Sequence, residues 1–317
     1  MEVVLGDNRG DTESIKVLRV KIQKELDVGN TVLVKLLQPG VMYEKDQQWY
    51  TTVDFMNEWT DKPVKFKSNL VPIKDCKVSF QYTNDMFLTG PRLYQENEMC
   101  KGLLKKLLPT YQKSVDKHWD LLLGETNENK DWLYNAIQSH PVLDRTFLTY
   151  FGKDPNKGYW SNSVVRPKQH TAETLGPLAN RFNTQIRCSD LIDPAIYNMT
   201  HYTAMIETTI HNDFAMFSEK EAKPIIAKRP FIIFGSCGQL RAFRSLGFKT
   251  FDTVIDESYD LIRDKHERWC KALDSMLELT SLNHIEVYNE LSNILMHNKE
   301  HFENNQWQRC LTWDSYR

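Results

Sequence analysis

The sequence predicts an α/β protein built from two Rossmann-like domains facing a cleft, and three observations lead there. Residues 202–250 read YTAMIETTIHNDFAMFSEKEAKPIIAKRPFIIFGSCGQLRAFRSLGFKT. This is a strand, acidic turn, helix, strand, small-residue turn and helix in succession, the alternation that builds a parallel sheet with covering helices. The start of the chain repeats the order. It has a strand at Glu2–Leu5, a helix with Ile15, Leu18, Ile22 and Leu26 on one face, and a strand at Thr31–Leu37. The third observation is size: 317 residues, 41% hydrophobic and 26% charged, are enough to form two cores.

In the central stretch Ser218 is followed three residues later by Glu221, a capping box that starts a helix and puts Glu219 and Lys220 in its first turn. A helix N-terminus offers unpaired N–H groups and a partial positive charge, which suits a phosphate. Lys220 adds a full charge there, and Glu219 offers acceptors to ribose hydroxyls. The run Phe231–Phe234 reads as a buried parallel strand. Beyond Gly235, Ser236 and Gln239 form a second capping box, and Gly247 stops the helix. Two helix N-termini are therefore expected to face one cleft. Between Phe217 and Thr250 the basic residues are Lys220, Lys223, Lys228, Arg229, Arg241, Arg244 and Lys249, against Glu219 and Glu221. Of these, Lys228, Arg229, Arg241 and Arg244 read as solvated helix faces. Asp256, Glu257 and Asp260 read as an exposed helix start.

Asp7 and Asp11 lie in the GDNRGDT loop after the first strand, whose glycines lack the GxGxxG spacing of a dinucleotide fingerprint. Residues 38–75 are irregular; most tryptophans of the chain read as core, with Trp49 and Trp59 flanking this loop-rich region, where an acceptor could be touched. Lys77–Thr83 alternates as a strand and ends in Asn84-Asp85; open α/β sheets put their chemistry at the carboxyl ends of parallel strands. A helix over Glu96–Leu108 stops at Pro109, and Tyr111–His118 crosses to a new unit that opens with the strand Trp119–Gly124. A polar loop and a helix follow in ETNENKDWLYNAI. Residues 152–200 form a long excursion, the sheet resumes near His201, and the tail from Ser281 is helical. These breaks predict domains at 1–115 and 116–280 and a tail at 281–317 that packs back on the cleft.

Net charge is −2, which argues against a strongly basic nucleic-acid coat but leaves room for a local basic cleft. No signal peptide and no membrane-spanning run is read, and the six cysteines form no CxxC pair, so a cytoplasmic, reducing compartment is expected. His297 and His301 sit four apart but lack the HExxH order and a third ligand, so they read as solvated. Asp-x-Asp, Walker and GxSxG motifs are missing, which lowers kinase and hydrolase readings; no metal site is expected.

The segment IETTIHNDFAMFSEK resembles the ENS…TEK segment of α1,3-fucosyltransferases, and RPFIIFGSCG resembles the PI..GSP that follows it there. The resemblance implies that Glu219 holds the ribose of a nucleotide sugar and Lys220 its phosphates. Glu207-Thr208 stand where the family has Glu-Asn. The spacing before Ser218 is longer here, so the family's nucleotide-contacting tyrosine falls at Phe214 or Met216. The unit opening at Trp119 resembles the start of the same nucleotide-binding half. There an Arg-Asp pair opens the helix; here Lys130-Asp131 does, and lysine neutralises phosphate without arginine's bidentate fork. CKVSFQYTNDMF resembles the strand and catalytic aspartate of phage DNA β-glucosyltransferases. FSEKEAKPIIAKRPFIIFGS…LGFKTFDTVIDESYD is similar to phage-encoded glycosyltransferase-like proteins.

Together these resemblances imply the GT-B glycosyltransferase fold. The first domain would receive the acceptor, and the second would bind a UDP- or GDP-sugar through Ser218, Glu219, Lys220, Glu207, Thr208, Lys130, Lys223 and Ser236. Asp85 is the expected catalytic base, with Asp11 and Asp7 as rivals. No tightly bound cofactor and no metal requirement is expected, since Lys220 and a helix dipole supply positive charge. The expected acceptor is 5-hydroxymethylcytosine, or a sugar already on it, in double-stranded phage DNA, reached by base flipping in the host cytoplasm. A cell-surface glycan acceptor, or nucleotide-sugar binding without catalysis, is the alternative. No membrane partner is expected.

Overall fold

In a computed structural model of the chain, the described residues are 2–7, 12–36, 43–45, 48–50, 52–68, 70–72, 80–82, 94–95, 98–113, 115, 117–123, 127–150, 159–160, 191–208, 210, 214–305, 307 and 310–311. The alternating TVLVKL run forms β2 (Thr31–Leu36), with Val32, Val34 and Leu36 buried and the residues between them half-buried. It pairs in parallel with β1 (Glu2–Asp7) on one side and β5 (Val64–Ser68) on the other. Next come β7 (Phe80–Tyr82), parallel, and β14 (Cys310–Leu311), antiparallel, so the end of the chain returns to the first sheet. The crossover from β1 to β2 is α1 (Thr12–Asp27), which buries Leu18 and Ile22 as their helical spacing predicts. The hairpin β3 (Tyr43–Lys45) and β4 (Gln48–Tyr50), then α2 (Thr52–Asn57), precede β5. Trp59, just after α2, is buried edge-on against Phe55, the core packing expected of most tryptophans in this chain.

The chain leaves this sheet through α3 (Glu98–Lys105), shorter than the sequence predicts, and a 3-10 turn at Thr110–Gln112. The second sheet has β8 (Trp119–Leu122), β9 (Thr146–Tyr150), β11 (Tyr202–Ile206) and β13 (Phe231–Phe234) all parallel, with β10 (Tyr159–Trp160) antiparallel at the edge. The four residues of β13 and all five of β11 are buried, as strands covered on both faces must be. Covering helices are α4 (Glu128–Gln138), α5 (Pro194–Met199), α6 (Glu219–Ile226), α7 (Gln239–Ser245) and α8 (Lys265–Thr280). The last of these buries Trp269, Ala272, Leu273 and Met276 at helical spacing. The protein is thus mixed α/β with parallel sheets.

The strand order β10-β9-β8-β11-β13 contains a reversal. The chain goes from β8 outward to β9, then returns past β8 to β11 and β13. Open sheets bind ligands beyond the carboxyl ends of the two strands flanking such a switch point. Here those ends are Leu122 and Ile206. Among the described strands of the first sheet, order follows sequence and no reversal occurs.

The sequence-predicted acidic turn contains a short strand, β12 (Phe214–Met216), which pairs antiparallel with β6 (Leu70–Pro72) and so ties the second half of the chain to the first. The tail helix α9 (His284–Glu303) also bridges. Asn298 accepts from the Lys249 N–H and donates to the Lys249 carbonyl, both at 2.8 Å. His297 and His301 are not solvated. Their Nε2 atoms lie 3.0 Å from the Gly247 carbonyl and 2.7 Å from the Leu246 carbonyl, and His301 is buried. They satisfy carbonyls left open where α7 ends at Gly247, whose φ of +94° is the left-handed stop predicted for it. No described helix is long and apolar enough to cross a membrane.

Candidate functional site

The loop after β11 starts with Glu207 and Thr208, beside the switch point, and the next helix begins at the same end of the sheet. Ser218 caps α6 as the sequence predicts. Its Oγ accepts from the Lys220 N–H at 3.3 Å, and Glu221 Oε2 accepts from the Ser218 N–H at 2.8 Å. The Ser218 hydroxyl then donates to Glu207 Oε1 at 2.9 Å. Lys220 Nζ reaches Ser218 Oγ at 3.3 Å, Thr208 Oγ1 at 3.4 Å and Glu207 Oε2 at 3.5 Å. Five of the sequence-predicted donor residues, Glu207, Thr208, Ser218, Glu219 and Lys220, therefore come together at this end of the second sheet.

The electrostatics of this cluster differ from a bare phosphate cradle. Three glutamates, Glu207, Glu219 and Glu221, surround one ammonium, and all three are buried. Burial opposes the charge on Lys220, but these carboxylates outweigh it and hold the lysine pKa above its ordinary value. Burial, and then the neighbouring charge of Glu207, pushes Glu221 well above the usual carboxylate range, which favours its protonated form. Glu219, in the first turn, is 8% exposed, and its Oε2 has no hydrogen-bond partner among the described residues; Glu221 Oε1 has none among them either. A buried acceptor left open in this way suits a ligand hydroxyl.

Lys130 lies in the first turn of α4, at the end of the sheet where β8 finishes. Its N–H donates to Asn127 Oδ1, the helix cap, at 2.9 Å. Its neighbour Asp131 accepts from the Tyr150 hydroxyl at 2.7 Å, which fixes the helix against β9. Lys223 is half-buried one turn beyond Lys220; its charge acts on Asp120. Phe214 and Met216, the positions expected to meet a nucleotide base, are buried as strand residues of β12.

At Ser236 the expected second capping box forms in part: its N–H donates to Gln239 Oε1 at 3.4 Å. The helix begins at Gln239, with Gly238 in the left-handed conformation before it (φ +79°). Its N-terminal groups are already taken: Asp260 accepts from the Leu240 N–H at 2.9 Å and the Arg241 N–H at 3.1 Å, and its carbonyl accepts from the Gly238 N–H at 2.7 Å. Space at the turn is filled as well. A Cβ on Gly235 would lie 2.9 Å from Gln239 Cγ, so the open face of that glycine is covered by Gln239, whose Nε2 donates to the Met216 carbonyl at 2.7 Å. Asp260 is consequently buried rather than part of an exposed helix start, while Glu257 accepts from Arg244 at 2.5 Å and from the Phe251 N–H at 2.7 Å.

Arg229 is likewise no solvated residue. It is buried, with Nη2 at 2.6 Å from Asp120 Oδ1 and further bonds to Thr203 Oγ1 and to the carbonyls of Tyr197, Thr200 and Tyr202. The readable signal was Asp120 itself. A carboxylate inside the apolar run WDLLL has to find a buried partner.

The candidate bases Asp85 and Asp11 lie outside the described residues; Asp7 is the last residue of β1, at the carboxyl end of its sheet. Among the described residues no three His, Cys, Asp or Glu side chains are grouped as metal ligands. In comparisons with known proteins, no family model, no curated protein and no solved structure matches the chain.

Proposed function

We propose that the chain is a glycosyltransferase of GT-B type that uses a nucleotide sugar, with the donor at the carboxyl ends of β8 and β11. The observation that carries this reading is the convergence of Glu207, Thr208, Ser218, Glu219 and Lys220 beside the switch point, with the buried Glu219 Oε2 unpartnered among the described residues. In the proposal Glu219 accepts from ribose hydroxyls. Lys220 and Lys130, from neighbouring strand ends, offset the charge that develops on the diphosphate. The acceptor hydroxyl gives its proton to Asp85, with Asp11 or Asp7 as the rival base. Its oxygen bonds to the anomeric carbon as the bond from that carbon to the diphosphate breaks, and the diphosphate leaves with the electron pair.

The acceptor in this reading is 5-hydroxymethylcytosine in DNA, or a sugar already attached to it, as the similarity to phage-encoded glycosyltransferases implies. Mass spectrometry of nucleosides, after hydroxymethylated DNA is incubated with the protein and a panel of UDP- and GDP-sugars, tests it. A sugar-mass increment on the modified base is the expected result. Donor hydrolysis without DNA modification would move the acceptor to another hydroxyl compound. No donor binding at all would end the reading.

A further inference from the structure

A cavity of about 430 Å³ lies at the amino ends of the second sheet's strands, where the chain enters β8, β11 and β13. Its wall is apolar along Leu104, Leu107 and Ile226. Lys113, Lys228, Arg229 and Lys299 also line it, and among the described residues no acidic one does. The volume falls within the range of small-molecule sites, on the order of 300–1,000 Å³.

The four cations are not equivalent. Arg229 is consumed by Asp120 and its carbonyl partners, and Lys299 pairs with Glu303 one turn away on α9. Lys113 Nζ donates to the carbonyls of Tyr197 at 2.8 Å and Thr200 at 3.2 Å, which leaves one of its three N–H donors. Lys228 is exposed and makes no ion pair among the described residues. Its backbone is unusual: φ is +53°, just past the end of α6, in the left-handed region that glycine occupies with least strain. The chain thus keeps a lysine where glycine is conformationally easier, and that lysine lines the cavity. Strain of this kind is informative when the residue borders a site.

We propose that this cavity binds an amphipathic anion, one acidic group on an apolar body, with Lys113 and Lys228 on the acidic group and Leu104, Leu107 and Ile226 on the body. The site is separate from the donor cleft, since the two lie at opposite ends of the strands, and it stands whether or not the chain transfers sugars. Burial, followed by the charge of Arg229, lowers the Lys113 pKa to about 7. Asp120 offsets this only in part, and a bound anion adds further counter-charge.

The test is a fluorescence titration of the full chain with anilinonaphthalene sulfonate, an aromatic anion, followed by displacement with decanoate and, separately, with inorganic phosphate. Saturable binding, displaced by decanoate but not by phosphate, is expected. Lys228→Gly should weaken dye affinity by about fivefold to tenfold, the loss of a single charge-assisted contact. Thermal unfolding of that variant should be unchanged or shifted upward, because it relieves the strained φ. Lys113→Met should weaken binding similarly. Wild-type affinity in both variants would place the dye elsewhere and overturn the proposal, as would displacement by phosphate alone.

Discussion

Asp120 and Arg229, 109 residues apart in sequence, meet at 2.6 Å between Oδ1 and Nη2 in the interior of the second sheet. The guanidinium also stacks over the Tyr197 ring, 4.3 Å from its centroid, and the hydroxyls of Thr200 and Thr203 complete the shell of Asp120. The pair joins β8 to the turn before β13, across β11. Its worth as a stabiliser against an apolar replacement is small, but breaking it leaves a buried charge.

Arg229→Met should therefore destabilise the fold by about 3–5 kcal/mol. The double variant Asp120→Leu/Arg229→Met should recover part of that loss. Urea unfolding of the three proteins reads both quantities, and a double variant no better than the single one would show that the loss comes from packing rather than from the orphaned carboxylate.

Stability should fall as the pH drops below about 6.5, and His201 is one cause. Its ring is fully buried and stacked on His284 with centroids 3.9 Å apart, and neither ring nitrogen has a partner among the described residues. Burial, then the charge of His284, lowers its pKa from 6.5 to about 3, and burial lowers His118 as well. In the folded protein the ring stays neutral, while the unfolded chain binds a proton below pH 6.5. The stabilising contribution is full above 6.5 and is lost as the pH falls toward 3. His201→Phe should flatten the pH dependence of unfolding between pH 6.5 and 4; the same slope in both proteins would acquit the histidine.

At the candidate donor site, Glu219→Ala and Lys220→Met should each weaken nucleotide-sugar binding by about 1.5–3 kcal/mol, the range for hydrogen bonds to charged groups. Circular dichroism should remain that of the wild type. Calorimetric titration with UDP- and GDP-sugars measures the loss, and unchanged affinity in both variants would remove α6 from the site.

Asp260→Ala makes the opposite prediction. With its two cap bonds gone, α7 should lose about 1–2 kcal/mol of support, seen as a lower melting temperature. Donor affinity should stay at the wild-type value, because this carboxylate occupies the helix N-terminus that a second phosphate site would require.

Asp85→Asn should leave donor binding intact and reduce turnover by about 10²–10⁴-fold, the usual contribution of a general base. Turnover near that of the wild type, at saturating donor and acceptor, would transfer the role to Asp11 or Asp7.

The sequence by itself determined the local elements. Helical spacing of Leu18 and Ile22, the alternation of TVLVKL, the unbroken FIIF run and the Ser218–Glu221 box each fold as read, because each depends on residues within a few positions of one another. Only the tertiary structure decided which charges are spent. Ser236 and Gln239 spell a capping box and form its glutamine half, yet Asp260, from 21 residues beyond Gln239, takes the helix N-terminus. Arg229 reads as solvated until Asp120 closes on it from β8, and His301 until α9 lays it against the end of α7. Even at Lys220, where the sequence correctly placed a cation at a helix start, folding added Glu207 from the preceding strand end and changed the local charge balance. Periodicity and caps are short-range and survive in one dimension. The partner of a buried charge is fixed by desolvation, which acts only once distant segments have excluded water between them.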